Sequence, residues 1–280
     1  MNLPFQINLE NKVAVVTGGT GVIGSAMSKA LAQCGAKVAM VGITDDSKEI
    51  VDEISSFGGK AQFFLGDVTN KDEMERVRAE IHDTFGTVDV LVNGAGGNAP
   101  RGTTDDERFD VDAEQHGKTF FDLDVKSVGF VMDLNFLGTF IPSQVFGADM
   151  VDKEEAAIVN ISSMNAFTPL TKIPAYSGAK SAVSNFTQWL SVYFSKTNIR
   201  VNAIAPGFLI TSQNEKLLLN DDGSYTARSN KILNATPMER FGKPEELIGA
   251  LLFLIDTQCA SFINGVVLPV DGGFNAYSGV

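Results

Sequence analysis

The sequence predicts an α/β protein with a parallel, doubly wound sheet. Short apolar runs alternate along the chain with segments in which apolar residues recur at helical spacing. The first run, residues 12–17, passes through a glycine-rich turn into a helical pattern, and a second apolar run follows at residues 37–41. Strands that alternate with helices in this way pair in parallel, with the helices as crossovers on the two faces of the sheet.

The same alternation continues to the C-terminus. A continuous apolar run such as residues 12–17 is typical of a strand buried on both faces, and Gly35 ends the first helix. We predict strands at residues 12–17, 37–41, 60–65, 88–92, 156–161, 199–205 and 266–270. We predict helices at residues 23–34, 46–57, 71–85, 134–151, 174–195 and 244–255. Residues 97–126 and 208–235 are polar and irregular, and long loops of this kind in a compact domain usually carry function.

Length and composition favour a single domain. The chain has 280 residues, 44% of them hydrophobic, which fits one large domain over residues 1–280 better than two. The net charge of -12 argues against a nucleic acid or an anionic membrane as partner, while a small anionic substrate is compatible with it. No signal-peptide pattern opens the chain and no apolar run approaches the ~20 residues of a membrane span, so we expect a cytoplasmic protein.

Cysteine and histidine are scarce. Cys34 and Cys259 stand far apart without a CxxC spacing, and reduced thiols are the expectation for a cytosolic protein. The only histidines are His82 and His116, which are too few for a typical histidine-based metal site. We therefore expect no metal centre.

Three glycines, Gly18, Gly21 and Gly24, join the first strand to the first helix. In a βαβ unit such glycines let the backbone approach a pyrophosphate at the helix N-terminus, so the turn predicts a dinucleotide site. Ligands of doubly wound sheets lie at the carboxyl ends of the strands. Asp67-Val68 and residues 93–96 also fall at that edge, although both segments are compatible with plain turns.

Tyr176 and Lys180 lie four residues apart in a predicted helix, so they share one face, one turn apart. A phenol titrates near pH ~10, and a neighbouring ammonium favours the phenolate and lowers that pKa. The Ser163 hydroxyl, thirteen residues before Tyr176, could hold the oxygen of a carbonyl or carbinol. Reversible hydride transfer to a cofactor needs these three groups. A tyrosine and a lysine one turn apart also occur on ordinary amphipathic helices, so the pair alone does not distinguish a catalytic pair from a plain helix surface.

Together these motifs resemble the short-chain dehydrogenase/reductase family. The shared residues, in the family's order and spacing, are Thr17-Gly18 to Gly24, Asn93-Gly94-Ala95-Gly96, Asn135, Ser163, Tyr176-x-x-x-Lys180 and Pro206-Gly207. The resemblance runs from about residue 10 to the C-terminus. It implies one Rossmann-type domain with about seven parallel strands, and an NAD(P)(H)-dependent oxidoreductase acting on a carbonyl or secondary alcohol. It also implies a homotetramer or homodimer formed through the helices near residues 134–151 and 174–195.

The resemblance assigns a role to each motif. Tyr176 would be the general acid/base, Lys180 would lower its pKa and hold the nicotinamide ribose, and Ser163 would bind the reacting oxygen. Asn135 would distort its helix and hold a water that links Lys180 to solvent. The implied cofactor contacts are, besides Tyr176 and Lys180, Gly18, Thr20, Gly21, Val22, Ile23, Gly24, Asp67, Val68, Asn93, Gly94, Ala95, Gly96, Pro206, Gly207 and Thr211.

The end of the second strand lacks the family's usual cofactor code. An acidic residue at position 42 would imply NAD and an arginine at position 43 would imply NADP, but Gly42 and Ile43 stand there. The turn 18–24 has no basic residue for a 2′-phosphate, and Asp45 and Asp46 would repel one. NAD(H) is therefore favoured over NADP(H).

The substrate is expected among residues 97–126, 163–173 and 208–235. Their polarity fits a polyol, sugar or sugar acid better than a steroid or a long acyl chain. Arg101 could pair with a substrate carboxylate in bidentate fashion, or it could merely balance the charge of the acidic residues that follow it. Asn165 and Gln213 are further substrate candidates.

Longer runs resemble one group within the family, the bacterial D-mannonate oxidoreductases (D-fructuronate reductases). These runs are residues 161–167, 206–214, 236–242 and 270–280. The resemblance implies reversible reduction of D-fructuronate to D-mannonate in carbohydrate metabolism. The alternatives are a gluconate 5-dehydrogenase or other polyol dehydrogenase, a 3-oxoacyl carrier-protein reductase and, from another class, a catalytically silent NAD-binding regulator. The apolar tail after residue 273 is expected near a neighbouring subunit's pocket.

Overall fold

Seven parallel strands form one sheet in the computed structural model, which describes residues 7–211 and 218–279. The strand order is β3-β2-β1-β4-β5-β6-β7. The strands are β1 (Val13–Thr17), β2 (Lys37–Gly42), β3 (Lys60–Leu65), β4 (Val90–Asn93), β5 (Ala156–Ile161), β6 (Ile199–Pro206) and β7 (Val267–Val270). All six pairings are parallel, which confirms the predicted fold class. The order reverses between β1 and β4, and a ligand crevice forms at such a point.

Helices cover both faces of this sheet. They are α1 (Val22–Gln33), α2 (Lys48–Ser56), α3 (Lys71–Thr84), α4 (Val125–Met132), α5 (Gly138–Met150), α6 (Pro174–Tyr193), α7 (Ala227–Asn234), α8 (Ile248–Ile255) and α9 (Thr257–Ala260). Leu31 of α1 and Leu251 of α8 belong to one buried layer, while Ile81 of α3 and Phe146 of α5 belong to the other. Every helix of the described ranges is too short or too polar to cross a membrane.

The helix predicted at residues 134–151 begins earlier, at Val125. Asp124 caps it, because its carboxylate accepts from the backbone N–H groups of Lys126 and Ser127, both at 3.2 Å. α4 then continues into α5 through a π-helical turn, Asp133–Leu137. The predicted irregular segment therefore ends at residue 124, and we refer to residues 97–124 as the insert.

Two further segments differ in structure from the prediction, and the other bounds agree to within about two residues. Residues 208–235 are not irregular throughout, because α7 closes the segment and the Thr226 side chain caps it by accepting from Ser229 N at 3.2 Å. The helix predicted at 244–255 starts as a 3-10 turn, Pro244–Leu247, before α8. The short helix α9 was not predicted, and Asp256 caps it.

Candidate active site

The carboxyl ends of the central strands are tied together at one edge of the sheet. The Thr17 hydroxyl, at the end of β1, accepts from Gly94 N at 3.1 Å and from Ala95 N at 3.2 Å. The glycine turn after β1 and the segment after β4 are therefore fixed against each other. A dinucleotide site is expected at this place in a doubly wound sheet.

Ser163, at the end of β5, meets Tyr176 of α6. The two side chains are hydrogen-bonded to each other, and Ser163 Oγ also accepts from Asn165 N at 3.3 Å. The neighbouring Ser162 turns the other way, because its hydroxyl bonds to the carbonyl of Lys180 and to Ser184 of the same helix. Pro174 begins α6, where its missing N–H costs no helical hydrogen bond. Tyr176 is the third residue of this helix and lies next to Ser163 at the end of β5.

Lys180 is buried one turn further along α6. Its Nζ donates to the carbonyl of Ile161 at 2.8 Å and lies 5.7 Å from the centroid of the Tyr176 ring. The ammonium is thereby held between the end of β5 and the phenol. Sequence reasoning did not find the Ile161 carbonyl as its partner, because a backbone acceptor leaves no signal in residue type.

Burial governs the two ionisable groups of this cluster. Burial raises the pKa of the Tyr176 phenol, and the Ser163 hydrogen bond offsets this only in part. The expectation that the pKa of Tyr176 would lie below its ordinary value is therefore wrong for this structure. Burial also lowers the pKa of Lys180 to about 8. Tyr176 is thus protonated at neutral pH and Lys180 is mostly charged.

Asn135 occupies the π-helical turn between α4 and α5 and is fully buried. Its Nδ2 donates to the carbonyls of Gly97 and Val131, both at 2.7 Å, and its Oδ1 accepts from Gly97 N at 3.3 Å. A Cβ at Gly96 would lie 2.7 Å from Asn135 Oδ1 and 3.2 Å from Lys180 Nζ. The turn therefore brings Asn135 to the segment after β4, beside Lys180, and π-turns often mark functional sites.

The glycine turn after β1 fits a pyrophosphate. Gly18 has a φ of 64°, and a Cβ at Gly24 would lie 2.0 Å from the Gly18 carbonyl oxygen, so side chains are excluded there. Gly21 caps α1 without a side-chain acceptor, and the first turn of α1 contains no acidic residue. The helix N-terminus and its free N–H groups can therefore bind an anion.

The Asn93 side chain is engaged inside the protein. Its Nδ2 donates to Ser143 Oγ at 2.9 Å and to Asn160 Oδ1 at 2.8 Å. Asn160 Nδ2 in turn donates to Thr187 Oγ1 at 2.9 Å. This amide bridge joins β4, β5 and α6 and engages the Asn93 Nδ2. The buried Asn93 Oδ1 finds no hydrogen-bond partner among the described residues.

The other predicted cofactor positions are distributed along the same edge. Asp67 forms a local turn, since its Oδ1 accepts from the backbone and the hydroxyl of Thr69 at 2.8 and 2.7 Å. The Val68 side chain is buried. Thr20 lies in the turn before α1, and Val22 and Ile23 begin α1; all three are partly exposed. Pro206 ends β6, and Gly207 and Thr211 follow it.

The substrate candidates lie in different environments. Arg101 is exposed in a 3-10 turn, Pro100–Gly102, four residues beyond Gly97. Its charge contributes, after the Ser127 hydrogen bond, to the lowered pKa of Asp124, and no described carboxylate forms an ion pair with it. Asn165 is 3% exposed, and its Oδ1 finds no hydrogen-bond partner among the described residues. Gln213 lies outside the described residues.

The C-terminal segment packs against its own chain, which the sequence did not predict. The rings of Phe274 and Phe208 meet edge to face at 5.5 Å. Thr168 Oγ1 donates to Asn275 Oδ1 at 3.4 Å. The tail expected near a neighbouring subunit therefore contacts the segments after Ser163 and after β6 of its own chain.

Known proteins resemble this chain over its whole length. Residues 12–222 match the model of a family described as short chain dehydrogenase. An uncharacterized oxidoreductase of Haemophilus influenzae is 55% identical over 281 residues, 100% of this chain and 99% of its own. A crystal structure from that species, provisionally described as a D-mannonate oxidoreductase with bound NAD, has a TM-score of 0.95 at 55% identity and 100% coverage of both chains. The 2-dehydro-3-deoxy-D-gluconate 5-dehydrogenase of Dickeya dadantii is 30% identical over 96% of this chain and 97% of that enzyme.

Proposed function

Because this chain belongs to the short-chain dehydrogenase family, we propose that it interconverts D-fructuronate and D-mannonate with NAD(H). Membership makes it an oxidoreductase of alcohol or carbonyl substrates that uses NAD(P). One observation carries the choice of substrate, the 55% identity over the full length to the structure described as a D-mannonate oxidoreductase. The polar insert with its exposed Arg101 agrees with a carboxylated substrate.

The proposed mechanism places the proton chemistry on Tyr176. The nicotinamide cofactor, held at the turn 18–24, supplies the hydride for reduction or accepts it in oxidation. Tyr176 donates its phenolic proton to the substrate oxygen as negative charge develops there, and it recovers the proton in the reverse direction. The raised pKa keeps this proton on the phenol at neutral pH, ready for reduction.

Ser163 and Lys180 stabilise the charge that forms. Ser163, already bonded to Tyr176, can donate to the same substrate oxygen, as a preorganised donor does in an oxyanion site. The Lys180 ammonium lies close enough to the ring to favour the phenolate that remains after proton transfer. Asn135 would fix the segment after β4 against Lys180 and hold the water that returns protons from solvent.

NAD(H) is the proposed cofactor. Gly42 ends β2, and a Cβ added there would lie 3.9 Å from Thr20 Oγ1, so the end of β2 faces the glycine turn. A 2′-phosphate at this point would meet Asp45 and Asp46 and no basic residue of the turn. KM values for NADH and NADPH with one substrate compare the two cofactors, and an equal or lower KM for NADPH would contradict the preference.

Steady-state kinetics test the substrate. NADH oxidation should depend on D-fructuronate and be much slower with fructose, the uncharged ketose, because Arg101 would pair with the carboxylate. Arg101→Ala should raise the KM for D-fructuronate about 10-fold or more, the effect of one charged hydrogen bond. Arg108→Ala, another exposed arginine of the insert, is the matched control. Loss of no more than twofold in Arg101→Ala would remove Arg101 from substrate binding.

A gluconate 5-dehydrogenase activity is the second candidate. It is supported by the 30% identity over nearly the whole chain to the Dickeya dadantii enzyme. Faster reduction of a 5-ketogluconate than of D-fructuronate would favour it. No NADH or NADPH oxidation with any keto sugar acid would contradict both candidates and favour a silent binding protein.

We also propose a homotetramer or homodimer. Phe186, Trp189 and Tyr193 form a stacked row on α6, with ring centroids 6.2 and 5.2 Å apart, and the Trp189 side chain is 57% exposed. Exposed aromatic rows of this kind are typical of subunit interfaces. Light scattering after size exclusion should give a dimeric or tetrameric mass, and a monomer at all concentrations would exclude this assembly.

A further inference from the structure

Lys172 has a backbone conformation that its side chain disfavours. Its φ is 72°, and it is one of three non-glycine residues with positive φ in the described ranges, with Asn11 and Glu239. Left-handed backbone is costly for lysine, because its Cβ comes too close to the following carbonyl oxygen, and such strain persists where the surroundings impose it. Lys172 directly precedes Ile173, the N-cap of α6, and stands four residues before Tyr176.

Two hydrogen bonds join Lys172 to the insert. The Lys172 carbonyl accepts from Thr104 N at 2.9 Å. Its Nζ donates to the Asp105 carbonyl at 2.6 Å. Both bonds span almost seventy residues of sequence, so they attach the insert directly to the start of the helix that carries Tyr176.

Asp105 connects Lys172 to the rest of the insert through two further hydrogen bonds. Its Oδ2 accepts from Lys118 N at 2.6 Å, and its own N–H donates to the Lys118 carbonyl at 2.8 Å. Lys118 Nζ donates to the Pro100 carbonyl at 2.7 Å, next to Arg101. A continuous series of hydrogen bonds therefore runs from the start of α6 to the turn that carries Arg101.

We propose that Lys172 is a positioning residue that fixes the insert, and with it the substrate's carboxylate contact, relative to Tyr176. Glycine would adopt this backbone without strain but could not supply the amine. The backbone strain is therefore tolerated because the hydrogen bond from Lys172 Nζ to the Asp105 carbonyl fixes the distance between the turn that carries Arg101 and the Tyr176 phenol. This inference rests on the proposed function, since it assigns substrate binding to the insert.

Three substitutions test it, Lys172→Gly, Lys172→Ala and Lys172→Arg. Lys172→Gly should raise the KM for D-fructuronate about 10-fold, the loss expected for one charged hydrogen bond, with kcat within about twofold. Its NADH affinity should be unchanged and its Tm close to that of wild type, because relief of the backbone strain offsets the lost hydrogen bond. Lys172→Arg keeps a cationic donor and should recover most of the lost affinity. Chymotrypsin should cut Lys172→Gly faster than wild type at the exposed Phe109, Phe120 and Phe121 of the insert.

Two control variants separate the effect of relieving backbone strain from the effect of detaching the insert from α6. Asn11→Gly relieves a φ of 65° just before β1, at the opposite edge of the sheet, and should leave all kinetic constants unchanged. Lys231→Ala removes another lysine contact of the insert, an exposed pair with Glu107, and should have a smaller effect than Lys172→Ala.

An unchanged KM and an unchanged cleavage rate in Lys172→Gly would overturn the proposal. A parallel fall of kcat and Tm in all three variants, arginine included, would make Lys172 a folding residue and would also overturn it. If wild type reduces a different ketone, the proposed substrate fails and the same comparison is made with that ketone. If it reduces none, the cleavage rate alone decides whether Lys172 holds the insert.

Discussion

Replacing Lys180 by methionine should stabilise the protein while it ends catalysis. The residue is 4% exposed, and burial lowers its pKa from 10.5 to about 8. The unfolded chain therefore binds this proton more tightly than the folded protein. At neutral pH the fold contains an ammonium that its surroundings disfavour, and methionine fills a similar volume without the charge.

The size of the effect follows from the two pKa values. At about 1.4 kcal/mol for each pH unit between 10.5 and about 8, the buried charge costs about 3 kcal/mol of unfolding free energy at pH 7. The variant also loses the 2.8 Å hydrogen bond to the Ile161 carbonyl, which offsets about 1–2 kcal/mol. We expect a net gain of about 1–2 kcal/mol, or about 2–4 °C in Tm for a chain of this length.

The pH dependence identifies the cause. The cost is fully present below the folded pKa of about 8 and disappears as pH rises towards the unfolded value of 10.5, so wild type gains stability over that interval. Methionine does not titrate. The advantage of Lys180→Met should therefore shrink by about 2 kcal/mol between pH 7 and pH 9.5.

Urea unfolding followed by circular dichroism, at both pH values, measures these differences. Lys196→Met, at an exposed lysine just beyond α6, is the matched control and should show neither the gain nor the pH dependence. A Lys180→Met protein less stable than wild type at pH 7, or a difference that does not vary with pH, would refute the reasoning. NADH-dependent turnover should be lost in this variant.

Three further substitutions test the site and the fold. Tyr176→Phe should lower kcat for ketone reduction about 10²- to 10⁴-fold with NADH affinity retained in a fluorescence titration, and full activity would exclude Tyr176 as general acid. Gly24→Ala should abolish NADH binding in the same titration, because its Cβ would lie 2.0 Å from the Gly18 carbonyl, and normal binding would contradict the proposed cradle. Arg200→Met should cost about 3 kcal/mol in urea unfolding, since the buried guanidinium donates to two carbonyls at the end of α8, at 2.6 and 2.9 Å; a loss below 1 kcal/mol would contradict that role.

The strands and the glycine turn were predictable because their signals are local. Residues 13–16 form an unbroken apolar run, and β1 occupies Val13–Thr17 with every residue buried. The predicted strand at residues 60–65 is observed as Lys60–Leu65. Such runs need no information from distant parts of the chain.

The start of α4 has a local helix signal in the sequence, but neighbouring residues that disfavour a helix outweigh it. Val125, Val128 and Val131 recur every three residues behind Asp124, a good N-cap residue. Gly129 and the polar residues just before the helix weaken the pattern, so the segment resembles an extension of the insert. The cap is evident only when the Asp124 carboxylate is seen to accept from the first turn.

Other features of the site depend on distant residues and leave no local trace. The Asn93 amide faces Ser143 and Asn160, which are 50 and 67 residues away. The raised pKa of Tyr176 comes from burial by the whole fold, whereas the sequence shows only the nearby Lys180. Tertiary environment decides both, so sequence spacing can identify the candidate catalytic groups but not their protonation.

The amide bridge from Asn93 through Asn160 to Thr187 has an evolutionary consequence. It fastens two strands and the helix that carries Tyr176 from the interior, through side chains that all lie on strands and helices. Loops can then change in length and sequence while the candidate catalytic groups keep their mutual geometry. A chain built in this way can exchange one substrate for another without rebuilding its chemistry, and chimeras with loops from a gluconate-type relative are the natural place to look for that exchange.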